Sequence, residues 1–300
     1  MSTFILLTIT GLGLGAMYFL IASGLSLIYG LMGVLNFAHG LFLTIGAYAT
    51  WWTETHLTGI GNVTARYFLS AAIGVAVGAV FATVVELVLI RPLYRRHIEQ
   101  VLVTVGLALA GTALVQAVWG QDSRPFVTPH WMNETTTIFG AHVPNDRWVE
   151  IGVAAAVLVL IETFLRRTRY GLIVRAGVEN RAMVTALGID VRRAFTLVFA
   201  IGGVAAALAG ALSNVYFGSV VPDRGTSLLI FAFIVVVIGG LGSISGSALA
   251  ALLVGVTQQY ANYYGASTLH LGSSIGDITV VLLLGLILLA RPQGLSGKLA

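Results

Sequence analysis

No cysteine occurs among the 300 residues, which excludes disulfides, thiolate metal sites and cysteine nucleophiles. Charge is nearly as scarce. Asp, Glu, Lys and Arg make up 9% of the chain, against about 25% in soluble domains, too little to coat a water-facing surface of this size. Lysine occurs once, at Lys298, and Leu299 follows it. A phosphate-binding loop needs Lys followed by Ser or Thr, so this chain is not a P-loop ATPase. His56, His97, His130, His142 and His270 lie in or beside loops without metal-ligand spacing. Ser-Ile-Ser-Gly at 243–246 has Ser243 where an intramembrane serine protease needs Gly, and no His is placed to act as its base. No catalytic residue, metal site or cofactor is expected on this chain.

What is present is apolar. Hydrophobic residues make up 57% of the sequence and glycine contributes 36 residues, a composition that suits close helix contact in lipid. Apolar runs near 4–29, 38–53, 66–90, 100–119, 148–165, 194–217, 228–241, 246–260 and 276–290 recur between short polar breaks. They predict an all-α polytopic membrane protein of about eight or nine transmembrane segments, a single domain over 1–300. The first run lacks a basic flank and continues into further membrane sequence, so it does not read as a cleaved signal peptide.

The basic excess, 16 Lys+Arg against 12 Asp+Glu, points to orientation rather than to nucleic acid. Arg91, Arg95 and Arg96 follow one run; Arg166, Arg167, Arg169, Arg175, Arg181, Arg192 and Arg193 share one loop; Arg291 and Lys298 come last. Twelve of the sixteen basic residues thus fall in three segments, which the positive-inside rule assigns to the cytoplasm. The segment 120–147 reads as external.

Two runs, 228–241 and 246–260, are short and meet at a glycine-rich break over 239–246. Broken backbone at membrane depth must be buried in protein or line a wet cavity. An offset of 206 residues lays Gly33, Leu35 and Gly40 on Gly239, Leu241 and Gly246, a candidate internal repeat. Paired breaks of this kind mark substrate sites in transporters. The motif Asn36-Phe37-Ala38-His39-Gly40 sets an amide and an imidazole in an apolar stretch, either lining a pathway or tying the break together. The expected pathway set is Asn36, Phe37, His39, Gly40, Gly239, Gly240, Gly242 and Ser243.

The loop 166–193 carries Val178, Met183, Ala186 and Leu187 at near-helical spacing, closed by Gly188. It predicts an amphipathic helix that lies on anionic lipid or docks in a groove of a soluble partner.

The stretch 24–40, with Glu86, Arg91-Pro92-Leu93, the segment 175–189, Gly239-Gly240-Leu241-Gly242-Ser243-Ile244 and Arg291-Pro292-Gln293-Gly294-Leu295, resembles the branched-chain amino acid permease family of ABC importers, in its shorter, H-type form. The resemblance implies a multi-pass permease of the bacterial inner membrane. It also implies a second related permease, two cytoplasmic ATPases that hold the ATP and Mg, and an external solute-binding protein, with no nucleic acid. Residues 178–189 match the position of the family's coupling helix, which implicates Glu179, Arg181, Ala182, Ala186, Leu187 and Gly188; Glu179 falls earlier than a strict Glu-Ala-Ala pattern places it. The implied cargo is a branched-chain amino acid, or urea, an amide or an aromatic acid. No Lys or Arg is expected in the pathway to fix a carboxylate, so affinity is expected on the binding protein. A stand-alone transporter or channel needs intramembrane ionisable groups, and only Glu86, Glu162 and Asp277 approach that requirement.

Overall fold

A computed structural model describes residues 2–33, 35–94, 96–267 and 274–296, apart from the side chains of Val178, Glu179, Arg181 and Ala182; His270 and Lys298 lie outside the described residues. The chain runs α1 (Ser2–Met32), α2 (His39–His56), α3 (Val63–Val85), α4 (His97–Trp119), β1 (Arg124–Pro125), α5 (His130–Asn133), β2 (Thr135–Ile138), β3 (Ala141–Pro144), α6 (Asn145–Arg167), α7 (Arg169–Ala186), α8 (Val191–Phe217), β4 (Ser219–Val220), α9 (Arg224–Gly239), α10 (Ile244–Ser267) and α11 (Ile275–Ala290). A helix occupies each of the nine apolar runs. It is an all-α polytopic membrane protein; among the described residues its strands form two small antiparallel pairings, the long-range one of β1 with β4 and the β2–β3 hairpin.

Among the described residues, five helical segments are long and apolar enough to cross a bilayer alone: α1, α3 with its continuation to Leu93, α4, α6 and α8. The others are informative departures. α2 carries Thr44, Thr50, Thr53 and Glu54, all buried, on the faces it packs against α3, α8 and α9. α11 has 16 residues, and α9 meets α10 at a bend of 119°. By contrast α4 presents Leu102, Leu109, Leu114 and Val118 outward, the surface of a helix solvated by lipid or by another membrane chain.

Local signals set the helix ends. Asn62 caps α3, its Oδ1 accepting from the backbone N–H of Thr64 and Ala65 at 3.0 and 3.2 Å. Asp190 caps α8 through the Arg192 N–H at 3.0 Å. α1 stops at Gly33, whose φ of +67° is the left-handed turn that only glycine adopts cheaply. α3 passes into a π-helical turn, Glu86–Ile90, and a short 3-10 turn, Arg91–Leu93. The π turn swings the Glu86 carboxylate inward, where it accepts from the Tyr94 hydroxyl and, at 2.7 Å, from the Thr196 hydroxyl.

Packing between helices follows small residues. α1 and α10 run antiparallel with Gly15 against Ala251 and Gly11 against Val256; a Cβ at Gly11 would sit 2.7 Å from the Val256 backbone. α2 and α8 approach through Gly46 and Ala207, with a Cβ at Gly46 only 2.5 Å away. Leu31 at the end of α1 lies near Gly177 and Val191, and Arg91, Arg96 and Arg192 border one groove. The basic segments therefore gather at one end of the bundle, the Arg-rich end. The opposite end holds two buried ion pairs, Glu54 with Arg66 at 2.6 Å and Glu150 with Arg147 at 3.2 Å. Arg147 also lies over the Tyr216 ring at 3.5 Å.

Candidate functional site

The two breaks differ in depth. His39 Nε2 hydrogen-bonds the Ile21 carbonyl at 3.1 Å, and Ile21 lies about 16 Å along α1 from Met32 at 1.5 Å per residue. The non-helical residues 35–38 therefore return the chain from the Arg-rich end to the middle of the bundle, where α2 begins. They are only partly satisfied within the protein: Asn36 Oδ1 accepts from the Ala38 N–H at 3.1 Å, the Phe37 N–H donates to Thr104 Oγ1 at 3.4 Å, and Asn36 Nδ2 and His39 Nδ1 are buried without a partner. The Phe37 ring leans on Phe233, centroids 5.1 Å apart. Gly40 abuts the Gly225 carbonyl, where a Cβ would collide with it. Asn36 is buried and borders a small void beside Gln100 and Thr104.

The second break sits at the Arg-rich end, where a turn between two crossings belongs, and not at the centre of the bundle beside residues 36–40. The Leu295 N–H donates to the Ile238 carbonyl at 2.8 Å, and the Ser296 N–H to Gly239 at 3.1 Å, so the segment after α11 straps the end of α9. Gly240 and Gly242 turn the chain with φ of +98° and +82°. Ser243 closes the turn, its N–H donating to Gly240 at 2.9 Å and its Oγ accepting from Gly246 at 3.1 Å. The chain reverses because α10 must return antiparallel beside α1; α9 and α10 are thus two legs of a hairpin. Gly30 and Gly242 meet closely, a Cβ at Gly242 falling 3.0 Å from the Gly30 Cα. The end of α1 and the second break are in contact, while residues 36–40 lie deeper.

None of the eight expected pathway residues borders the open cavity on the other side of α9. That cavity, about 420 Å³, lies between α1, α8, α9, α10 and α11. Its walls include Leu14, Leu228 and Phe231, and Phe231 stacks on Tyr18 with centroids 5.2 Å apart. Its polar groups come from distant points of the chain. The Tyr18 hydroxyl donates to Gln258 Oε1 at 2.8 Å, and Gln258 Nε2 donates to Asp277 Oδ1 at 2.7 Å. Asp223 and Arg224 face it from the start of α9.

At the Arg-rich end α7 kinks at Asn180 (φ −154°, ψ 89°), whose Oδ1 accepts from the Met183 N–H at 3.0 Å and so caps a final helical turn. The expected helix is present; Gly188, at φ +78°, ends it. Ala186 and Gly188 border a groove of about 1,060 Å³ with Arg91, Pro92 and Tyr94. Met183 and Leu187 are 62% and 70% exposed. The side chains of Glu179, Arg181 and Ala182 lie outside the described residues.

A family model described as the permease component of branched-chain amino acid transport systems matches residues 7–291. The chain belongs to that family. Among curated relatives, the permease protein BraD of Pseudomonas aeruginosa is 31% identical over 97% of this chain and 94% of its own length. LivH of Salmonella typhimurium is 29% identical over 96% and 94%. A probable LivH of Methanocaldococcus jannaschii is 27% identical over 93% and 88%. These relatives are described as branched-chain amino acid transport permeases, the first two as high-affinity ones. No solved structure matches the chain.

The protein is accordingly a multi-pass inner-membrane permease, a transport subunit. The polar residues of the open cavity, Tyr18, Arg224 and Gln258, lie outside the set expected from the sequence, which singled out Asp277 only as an ionisable group. One signal was available. Asp223-Arg224 is a charged pair directly before an apolar run and outside all three basic clusters, and Gln258-Gln259 sets two amides inside another run.

Proposed function

We propose that this permease moves a branched-chain amino acid inward by alternating access driven by ATP hydrolysis on separate chains. The family match over residues 7–291 carries the reading; in it, ATP and Mg are held by partner ATPases, a reading that accords with a sequence without a phosphate-binding loop. Two such subunits, a second related permease and an external solute-binding protein complete the assembly. Exposed Met183 and Leu187, beside a groove at the Arg-rich end, support docking of an ATPase there, because apolar side chains so exposed gain free energy when a partner covers them. Movement of the docked ATPases then reaches the bundle through α7, which packs on α6 and α8.

The pathway follows the α1–α2 break, residues 36–40, and the hairpin turn with Gly239, Gly240, Gly242 and Ser243 as the elements that shift against each other. In the conformation described, Asn36 and His39 hold the break in place, and a passage past Phe37 requires the Phe37–Phe233 contact to open. The test is uptake into proteoliposomes that hold the complete complex. Leucine uptake should require internal ATP and the external binding protein; leucine uptake without ATP overturns the proposal.

A further inference from the structure

We infer that the cavity between α1, α8, α9, α10 and α11 is a binding site within the permease for a zwitterionic α-amino acid, with Arg224 holding its carboxylate and Asp277 its ammonium group. The inference rests on the transport reading above and adds to it, since the sequence offered no basic residue in the pathway and placed affinity on the external protein.

Arg224 stands in the first turn of α9. Its guanidinium carbon lies 3.8 Å from the centre of the Phe217 ring, which fixes the guanidinium plane and leaves its edges for hydrogen bonds. Nη2 donates to Ser219 Oγ at 3.4 Å. Nε is buried and has no partner. Among the described residues no carboxylate lies within 4.0 Å of Arg224, and no basic side chain lies within that distance of Asp277. Asp277 is instead held from below by the Gln258 amide, itself fixed by Tyr18. Asp223 is engaged by Gln116 at 3.2 Å.

Arg224, half-buried with its Nε unpartnered, and Asp277, exposed and held by the Gln258 amide alone, thus line one cavity without a counter-charge, and the half-buried cation loses solvation for which no carboxylate compensates. Charges that served the fold would pair, as Glu54 with Arg66 and Glu150 with Arg147 do at the same end of the bundle. A zwitterion supplies both missing counter-charges and adds no net charge. The remaining wall, Leu14, Leu228 and Phe231, is apolar and suits a hydrocarbon side chain. The volume, about 420 Å³, falls in the range of roughly 300–1,000 Å³ usual for small-molecule sites. Urea or a simple amide leaves both charges unanswered, and a carboxylic acid without an amine leaves Asp277 unanswered.

The position also suits a device that must release its cargo. Gly225, next to Arg224, packs against Gly40 at the start of α2, so any shift of the α1–α2 break moves the turn that carries the guanidinium.

The test uses the absence of cysteine. Ser227 is exposed and lines the cavity, so Ser227→Cys places one thiol there. Its labelling by a membrane-impermeant maleimide is followed on this chain in the assembled complex in proteoliposomes, with leucine as the probe. Leucine should slow labelling at least fivefold at saturation, while leucinamide and 4-methylpentanoate, each with one of the two charges, should need about tenfold higher concentrations. Adding Arg224→Gln should raise the half-protecting leucine concentration about tenfold or more, the scale of a lost charge-assisted pair. Arg224→Lys should fall between, and Asp277→Asn should act in the same direction as Arg224→Gln. Labelling of these variants without leucine reports that the cavity is still formed. Equal protection in Arg224→Gln, or no protection with Arg224 intact, overturns the site. ATP-dependent leucine uptake by vesicles that show no protection removes the site and leaves the transport reading standing. Uptake of urea but not leucine removes both.

Discussion

The meeting of Gly30 and Gly242 provides a quantitative test of whether the hairpin turn serves packing or passage. Gly242 has φ of +82°, and an L-residue held in the left-handed region costs about 1–2 kcal/mol. A Cβ there would sit 3.0 Å from the Gly30 Cα and 3.6 Å from its N. The neighbour is backbone and yields little, so overpacking adds about 1–3 kcal/mol. Gly242→Ala should therefore destabilise the bundle by about 2–5 kcal/mol, the sum of those two contributions, and Gly242→Leu by more. The assay is heat challenge of the detergent-solubilised complex followed by size exclusion, alongside ATP-driven uptake per assembled complex. Gly242→Ala should lower the temperature at which half the complex is lost, yet keep uptake per surviving complex near that of the unsubstituted protein. Gly59→Ala, which meets nothing within 4 Å, should leave the temperature unchanged. Unaltered heat resistance of Gly242→Ala with lost uptake would refute the packing argument and leave Gly242 a role in passage alone.

Three further outcomes are expected. Cysteines placed at Ser123 and Arg169 should label from opposite faces of the membrane, and labelling of both from one face would overturn the orientation. Ala186→Asp and Leu187→Asp should separate ATP hydrolysis from uptake while the complex still resists heat, because a charge is costly in a closed interface; normal coupled uptake in both variants would remove the docking assignment. Glu86→Ala should destabilise by about 1–3 kcal/mol, since the Tyr94 and Thr196 hydroxyls lose a buried acceptor. Glu86→Gln keeps an acceptor oxygen and should lose less heat resistance, so equal losses in the two variants would show that the hydroxyls do not depend on that acceptor.

Much of the fold was legible along the chain, for a physical reason. Lipid leaves backbone groups no partner but the helix itself, so each apolar run near the length of a crossing became a helix. Gly33, Gly188 and Gly242 likewise marked ends and turns because left-handed backbone favours glycine. The site was less legible. The motif over 36–40 stood out as polar residues in an apolar stretch, yet His39 spends its Nε2 on the Ile21 carbonyl and Asn36 spends its Oδ1 on the Ala38 N–H. Polarity at membrane depth announces a need for partners and does not say whether a neighbour or a solute meets it. The second break was visible as Gly-Gly-Leu-Gly-Ser, but its depth depended on α9 running the full distance to the Arg-rich end.

The sequence by itself determined the solvent, the order of crossings and the gathering of basic residues in three segments, because these follow from local composition. Only the tertiary structure decided that Tyr18, Arg224, Gln258 and Asp277 share one cavity. Their spacing of 259 residues from first to last carries no periodic signal. They meet because α10 packs antiparallel on α1 through glycines and α11 packs on α9 and α10. Those contacts are set by shape between helices, and shape between helices is not written in any one of them.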